Sequence, residues 1–276
     1  MPLYGLGANI LILPSSSEEL CLGSQPSMSG LFAVNPALFK SNQENPYVCL
    51  NRGNWLGGVS VSQMGYNHKF RSAVTHFGIK YSALSDLEYR DEIPVDNAIT
   101  TFNAYGLVLE TGIAVDKNTY KAGINFSYLN FGIYTAKSSG LCIDFGSAIK
   151  LNNGIKIGLA LKNLGIMGKL NFNNPKLPRK LLFGFSKKLS HTQFSNTMYS
   201  SLEWNSNQID SKFYFGNQFK WNMLSLLVGY FKSQNNSEAS IGIGFTFNKY
   251  KIVYGRRFNN MDIGTPELLS FEVALP

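Results

Sequence analysis

The sequence contains few charged residues. Only 15% of its 276 residues are Asp, Glu, Lys or Arg, compared with about 25% in an average soluble domain. Long apolar runs are also lacking: the longest aliphatic stretch runs from Ile10 to Leu13, whereas a membrane-spanning helix needs about 18 residues. A transmembrane helix is therefore excluded. The start, MPLYGLGANI, lacks the pattern of a secretion signal, so we expect that the chain is not exported or that a signal has been removed.

Residues suited to metal binding and catalysis are scarce. The three cysteines show no CxxC spacing, and the three histidines lie far apart without an HExxH-like spacing. No GxSxG motif marks a nucleophilic serine. We therefore predict no enzyme activity, no cofactor and no metal. The residues treated as structural on this ground are Cys21, Cys49, Cys142, His68, His76 and His191.

What the sequence does contain is period-two alternation, which is the pattern of β-strands. In SIGIGFTF, residues 240–247, every large apolar side chain has one parity, and only Ser, Gly and Thr have the other. The Asn153-Gly154 pair joins two alternating runs and predicts a hairpin with a type I′ turn. Helical periodicity is limited to a short turn around Pro36–Phe39.

About fourteen strands are predicted, with a usual length of roughly 9 to 11 residues, as a tilted membrane-spanning strand requires. No linker divides the chain, although residues 83–98 and 164–178 form longer connections. The predicted strands cover residues 46–52, 54–64, 70–82, 100–114, 118–134, 139–151, 155–163, 179–189, 197–205, 209–219, 223–231, 238–247, 249–256 and 267–275.

The two parities of these strands allow two architectures. In a soluble sandwich or barrel the bulky parity points inward, and the outward parity is rich in charge. In a membrane barrel the bulky parity meets lipid, and the inner parity consists of small residues with a few charges. Gly242, Gly244, Gly158 and Ala160 suit a narrow lumen better than a solvated surface. The sequence thus favours a single closed antiparallel transmembrane β-barrel, with the soluble sandwich as the alternative.

Three groups of charged residues are candidate functional positions. Asp144 has the small-residue parity, so we predict a lumen ion pair with Lys156 or Lys162. The acidic residues of connection 83–98 are a candidate partner-docking loop: Asp86, Glu88, Asp91, Glu92 and Asp96. Small basic groups suit lipopolysaccharide phosphates better than nucleic acid, because no nucleic-acid motif accompanies them. These surface residues are Lys187, Lys188, Arg256 and Arg257.

Four segments resemble the PorV/PorQ family of outer-membrane barrels in their order and spacing: NPALF at 35–39, IDFGSAIKLNNGIKIGLALKNLG at 143–165, LPRKLLFGFSKKLSH at 177–191 and IGIGFTFNKYKIVYGRR at 241–257. The SKKLSH run is closer to PorQ than to PorV. The resemblance implies a fourteen-stranded, FadL-like fold in the bacterial outer membrane. It also implies an N-terminal plug or lumen segment at 1–42 and a barrel at 43–276.

The resemblance further implies a function. It predicts a non-enzymatic component of the type IX secretion system attachment complex, anchoring PorZ-, PorU- and PorV-like partner proteins at the cell surface in contact with membrane lipid and lipopolysaccharide. The alternative is a FadL-like transporter of hydrophobic small molecules across the outer membrane. A third interpretation is a barrel that is structural to the envelope and carries no dedicated cargo.

Overall fold

Within the residues that the computed structural model describes, fourteen antiparallel strands form a closed barrel in which β1 pairs with β14. The described residues are 10–41, 45–90, 98–117, 119–171, 174–206, 208–234, 236–259 and 264–276. The strands are β1 Tyr47–Asn54, β2 Ser60–Phe70, β3 Ala73–Tyr89, β4 Thr100–Lys117, β5 Tyr120–Ile133, β6 Ala136–Lys150, β7 Ile155–Met167, β8 Lys180–Ser190, β9 Phe194–Asn205, β10 Gln208–Trp221, β11 Leu224–Lys232, β12 Ser237–Phe247, β13 Tyr250–Asn259 and β14 Glu267–Ala274.

The bulky parity of the strands faces outward. On β12, Ile241 and Ile243 are 54% and 53% exposed, whereas Ser240 is 3% exposed. Strand β11 shows the same alternation along its whole length. A soluble protein does not expose such a continuous apolar wall. The predicted transmembrane barrel is therefore confirmed, and the soluble sandwich is excluded.

The two ends of the barrel carry connections of different length. The turns that follow the even-numbered strands are short, and the predicted hairpin between β6 and β7 is one of them. Asn153 and Gly154 both have positive φ there, 64° and 74°, as a type I′ turn demands. The connections that follow the odd-numbered strands include the longest ones, between β3 and β4 and between β7 and β8. We call this end the long-connection end.

The two predicted longer connections are partly strand. Strand β3 continues to Tyr89 and β7 to Met167, so much of 83–98 and the start of 164–178 belong to the wall. On β3 the alternation is interrupted by a register shift between Leu84 and Leu87, where Asp86 adopts a φ of 58°. Pairing with β4 resumes beyond this bulge. A bulge breaks the period-two pattern without ending the strand, which explains the error.

Residues 10–41, which we call the N-terminal segment, pack against the inward side of the wall. Short 3-10 turns cover Ile10–Ile12 and Pro36–Leu38, and the second confirms the predicted turn. Helix α1, Ser17–Leu22, was not predicted, because six residues are too few to show helical periodicity. In the described part of the chain, no helix is long and apolar enough to cross a membrane.

The small parity of the wall makes room for this segment. A Cβ atom on Gly158 would overlap the carbonyl oxygen of Pro26, and one on Gly229 would overlap the carbonyl oxygen of Cys21. Close approach of two backbones requires glycine at such positions. Helix α1 lies against β10 to β14, and the turn Pro36–Leu38 lies against β4 to β6.

Candidate functional site

A cavity of about 410 Å³ lies between the N-terminal segment and strands β8 to β13. Because its lining includes residues that follow β1 and β11, it lies at the long-connection end of the barrel. We call it the mouth cavity. Its lining residues are Ile12, Pro14, Glu19, Ser24, Trp55, Lys180, Lys212, Tyr214, Phe231, Lys232, Ser233, Asn236, Glu238 and Arg257.

Aromatic side chains form the apolar part of the mouth cavity. Phe231 and Tyr214 are 5% and 7% exposed, and their ring centroids lie 5.4 Å apart. The Tyr214 hydroxyl donates a hydrogen bond to Glu203 Oε2 at 3.1 Å. Trp55 adds a third aromatic surface. With the hydroxyl of Tyr214 engaged by Glu203, the cavity has an aromatic wall suited to an apolar ligand.

Charged side chains of both signs form much of its polar part: Lys180, Lys212, Lys232, Arg257, Glu19 and Glu238. Arg257 lies over the Phe231 ring at 4.2 Å from the centroid, donates from Nη2 to the carbonyl oxygen of Leu20 at 2.7 Å, and contacts Glu238 at 3.4 Å. Lys180 Nζ lies 3.1 Å from Glu203 Oε1. These contacts hold the two cations in place at the cavity wall.

The position of Trp55 predicts a distinct fluorescence response. Trp204 and Trp221 are 43% and 53% exposed on the outward parity, whereas Trp55 lines the mouth cavity. In vesicles that contain brominated phospholipid, we expect strong quenching of a Trp55→Phe variant, which retains the two outward indoles. A Trp204→Phe/Trp221→Phe variant retains only Trp55 and should lose little emission. Equal quenching of the two variants would contradict the outward orientation of the bulky parity.

The lumen beside the mouth cavity is nearly filled. A second, enclosed cavity of about 20 Å³ is lined by the N-terminal segment and inward residues that include Lys80, Glu110 and Asp144. That volume holds about one water molecule.

Four charged residues tie the N-terminal segment to the wall. Lys251 Nζ lies 2.8 Å from Glu18 Oε1 on α1 and 3.3 Å from Glu272 Oε1 on β14. Glu272 Oε2 in turn contacts Lys40 Nζ at 2.6 Å. Burial raises the pKa of Glu18, but Lys251 outweighs this effect and lowers the pKa to about 2. The chain Glu18, Lys251, Glu272 and Lys40, which we call the anchor network, thus fastens both ends of the segment.

The predicted lumen positions divide between two surroundings. Asp144 Oδ2 lies 3.9 Å from Lys162 Nζ, and Asp144 Oδ1 accepts a hydrogen bond from the Asn163 backbone N–H at 2.7 Å. Lys156 instead donates to Ser29 Oγ at 3.2 Å. Asp144 and Lys162 line the small cavity and do not line the mouth cavity.

The predicted surface groups lie at several places. Asp86 and Glu88 are on β3, and Glu88 contacts Arg90 at 2.8 Å; Asp91, Glu92 and Asp96 lie outside the described residues. Lys187, Lys188 and Arg256 are exposed. Arg257 was predicted at the surface, but its side chain is only 11% exposed, because its parity on β13 points inward.

His76 and the three cysteines belong to the packing of the barrel, whereas His191 lies exposed in the turn after β8. His76 is fully buried, stacks on Phe39 at 4.4 Å between ring centroids, and contacts Asn67 Oδ1 and Glu110 Oε1 at 2.6 and 3.1 Å. The cysteines Cys21, Cys49 and Cys142 are buried free thiols. Of the residues that line the mouth cavity, sequence reasoning named only Arg257, and it assigned that residue to the surface. The only available signal was that Lys180, Lys212 and Tyr214 have the inward parity.

The fold of the closed barrel is similar to that of solved channels and transporters. The CymD monoaromatic hydrocarbon channel has a TM-score of 0.64 and 11% identity, over 100% of this chain and 99% of that chain. The P. putida toluene transporter TodX has a TM-score of 0.62 and 12% identity, over 94% of this chain and 98% of that chain. A Pseudomonas aeruginosa FadL homologue has a TM-score of 0.60 and 9% identity, over 95% of this chain and 98% of that chain. No protein-family model and no curated protein matches the chain.

These matches establish a FadL/TodX-like fold, and the apolar outer wall of the barrel fits a bacterial outer-membrane location. They also correct the main functional prediction. CymD is a monoaromatic hydrocarbon channel and TodX a toluene transporter, and nothing among the comparisons supports a PorV/PorQ assignment or an attachment role in type IX secretion. The alternative of a hydrophobic-molecule transporter is the better supported reading.

Proposed function

We propose that the protein is a non-enzymatic outer-membrane transporter that admits hydrophobic small molecules into the cell envelope. The observation that carries the proposal is the mouth cavity, which combines an aromatic wall with an interior position at one end of a FadL/TodX-like barrel. Barrels of this kind usually have short periplasmic turns and longer extracellular loops. The long-connection end therefore faces the medium, and the mouth cavity is the entry site.

The N-terminal segment acts as the gate in this proposal. It occupies the lumen beside the mouth cavity, and the anchor network and the buried helix α1 hold it against the wall. A ligand therefore binds first at the mouth cavity, and passage requires a shift of part of the segment. We propose residues 1–42 as the plug and residues 43–276 as the barrel on the same grounds.

Blocking the mouth cavity is expected to abolish uptake. The three native cysteines are buried, so a Ser233→Cys variant presents one accessible thiol at the cavity. Modification of that thiol with a bulky maleimide should reduce uptake of radiolabelled toluene into proteoliposomes to the level of protein-free liposomes. The unmodified Ser233→Cys protein should transport as the wild type does, because cysteine is close to serine in volume.

The matched control is Ser72→Cys, which lies in the exposed turn between β2 and β3 at the opposite end of the barrel. The same maleimide on this thiol should leave uptake unchanged. If modification at Ser72→Cys and Ser233→Cys reduces uptake equally, entry through the mouth cavity is wrong. If wild-type proteoliposomes take up no more than protein-free liposomes, the transport proposal itself is wrong.

A further inference from the structure

Lys212 differs from the other inward cations of the mouth cavity. Lys180 and Arg257 contact carboxylates, Glu203 and Glu238 respectively. Lys212 has the inward parity of β10 but makes no hydrogen bond and no ion pair with any residue in the described ranges. An ammonium group carries three N–H donors. Lys212 therefore presents donors and a positive charge to whatever enters the cavity.

The rest of the lining defines the other part of the ligand. Trp55 gives a flat apolar surface on which a ring packs favourably, and the nearly buried rings of Phe231 and Tyr214 complete the apolar wall. Arg257 lies between two of them, 5.6 Å from the Trp55 centroid and 4.2 Å from that of Phe231. Cations and aromatic faces thus adjoin in one space, and a ligand that combines a ring with an anionic group satisfies both.

The dimensions of the lumen limit the length of that ligand. The mouth cavity has about 410 Å³, and the next space in the described lumen has only about 20 Å³. The two cavities adjoin, because Ile12, Glu19, Ser24 and Lys180 line both of them. A compact molecule matches the volume of the mouth cavity, whereas the adjoining space of about 20 Å³ gives a long acyl chain little room to extend.

We infer that the mouth cavity selects compact aromatic carboxylates, with the carboxylate at Lys212 and the ring against Trp55 and the Arg257 guanidinium that covers Phe231. This inference rests on the proposed transport function and names its substrate class. A carboxylate accepts charge-assisted hydrogen bonds from an ammonium, and the ring replaces water at the aromatic wall. The selected ligands thereby differ from the neutral monoaromatic hydrocarbons named for the similar channels.

Calorimetric titration of the full-length protein in a non-ionic detergent tests this inference with three probes: 2-naphthoate, its uncharged methyl ester and hexadecanoate. We expect 2-naphthoate to bind about tenfold more tightly than the ester, the ratio that one charge-assisted hydrogen bond supports. Lys212→Gln should remove this tenfold preference by weakening only the acid. Lys212→Arg should keep it, because the positive charge remains.

Lys220→Gln is the matched control, since Lys220 has the same strand and parity as Lys212 but does not line the mouth cavity. It should bind all probes as the wild type does. The mobility shift of the folded barrel on unheated gels verifies each variant, and Lys212→Met replaces Lys212→Gln if that variant does not fold.

The outcomes separate this inference from the proposed function. Equal binding of acid and ester, an unchanged preference in Lys212→Gln, or tighter binding of hexadecanoate than of 2-naphthoate would overturn the selection of compact aromatic carboxylates. Any of these results is compatible with the proposed transport function, because an apolar ligand still binds. If none of the three probes binds, both the inference and the assignment of the mouth cavity as the entry site are wrong.

Discussion

Replacing Lys251 with methionine is expected to destabilise the folded barrel by about 3–5 kcal/mol, the usual cost of leaving buried charges without their partner. Lys251 contacts Glu18 and Glu272 at 2.8 and 3.3 Å, and its side chain is only 14% exposed. Methionine keeps most of the volume but removes the charge, so two buried carboxylates lose their shared cation. Because Glu18 is on α1, the N-terminal segment should also loosen.

The measurement is the free energy of unfolding from urea titrations in lipid vesicles, followed by tryptophan emission. Lys249→Met is the control, since this lysine lies two residues away in an exposed turn, and its replacement should cost less than about 1 kcal/mol. A Lys251→Met/Glu18→Gln variant should regain part of the loss, because one of the two unpaired charges is gone. If Lys251→Met is as stable as Lys249→Met, the anchor network does not hold the segment.

The effect of Lys251→Met should depend on pH. The pKa of Glu18 is lowered from 4.5 to about 2 in the folded protein. A depressed carboxyl pKa adds stability that is complete above about pH 4.5 and is lost as the pH falls toward 2. In the variant, protonation at low pH instead relieves the unpaired carboxylates. The difference in unfolding free energy between wild type and variant should therefore be largest at neutral pH and shrink below pH 4.5.

The sequence was sufficient to predict the barrel, because strand parity is a local property. Each strand alternates within its own residues, as Ile241 and Ile243 against Gly242 show. The chemistry of the Asn153-Gly154 turn was equally local. The errors occurred where a bulge interrupts the alternation, as at Asp86, or where an element is too short to show a period, as in α1.

The mouth cavity was not predictable, because its lining comes from residues distant in the sequence. Trp55, Lys212 and Arg257 meet only when the barrel closes and the N-terminal segment lies inside it. The strand pattern defines which side of the wall each residue faces. The strand pattern does not define how much of the lumen the N-terminal segment occupies. The volume that the segment leaves free determines where a cavity remains.

The family resemblance predicted the fold correctly and the function wrongly for a physical reason. The residues of its motifs stabilise turns and bulges of the backbone. In NPALF, Asn35 Oδ1 accepts a hydrogen bond from the Ala37 N–H at 3.0 Å and caps the 3-10 turn. In KNLG, Asn163 adopts a φ of 61° at the register shift opposite Asp144. Motifs that build turns and bulges recur in barrels of different function, so they carry architecture and no information on partners.

The outward face of β12 supports the second large prediction. Ile243→Arg should destabilise the barrel by about 2–4 kcal/mol, the cost of an arginine on the lipid face near the bilayer midplane. Ile243 is near the middle of β12 and is 53% exposed. Phe247→Arg is the matched control, because Phe247 has the same parity at the end of the strand. Near the interface the cost falls to about 0–1 kcal/mol.

Urea titrations of both variants in vesicles give the two costs, and their ratio identifies the solvent of the outer wall. In lipid the penalty depends on depth, because only the midplane is far from water on both sides. At a water-exposed surface an arginine is tolerated equally at both positions, within about 0.5 kcal/mol. Equal small costs at Ile243 and Phe247 would therefore show that water covers this face. A cost confined to Ile243 requires hydrocarbon there, and with it the inward position of Gly242, Gly244 and the N-terminal segment that they accommodate.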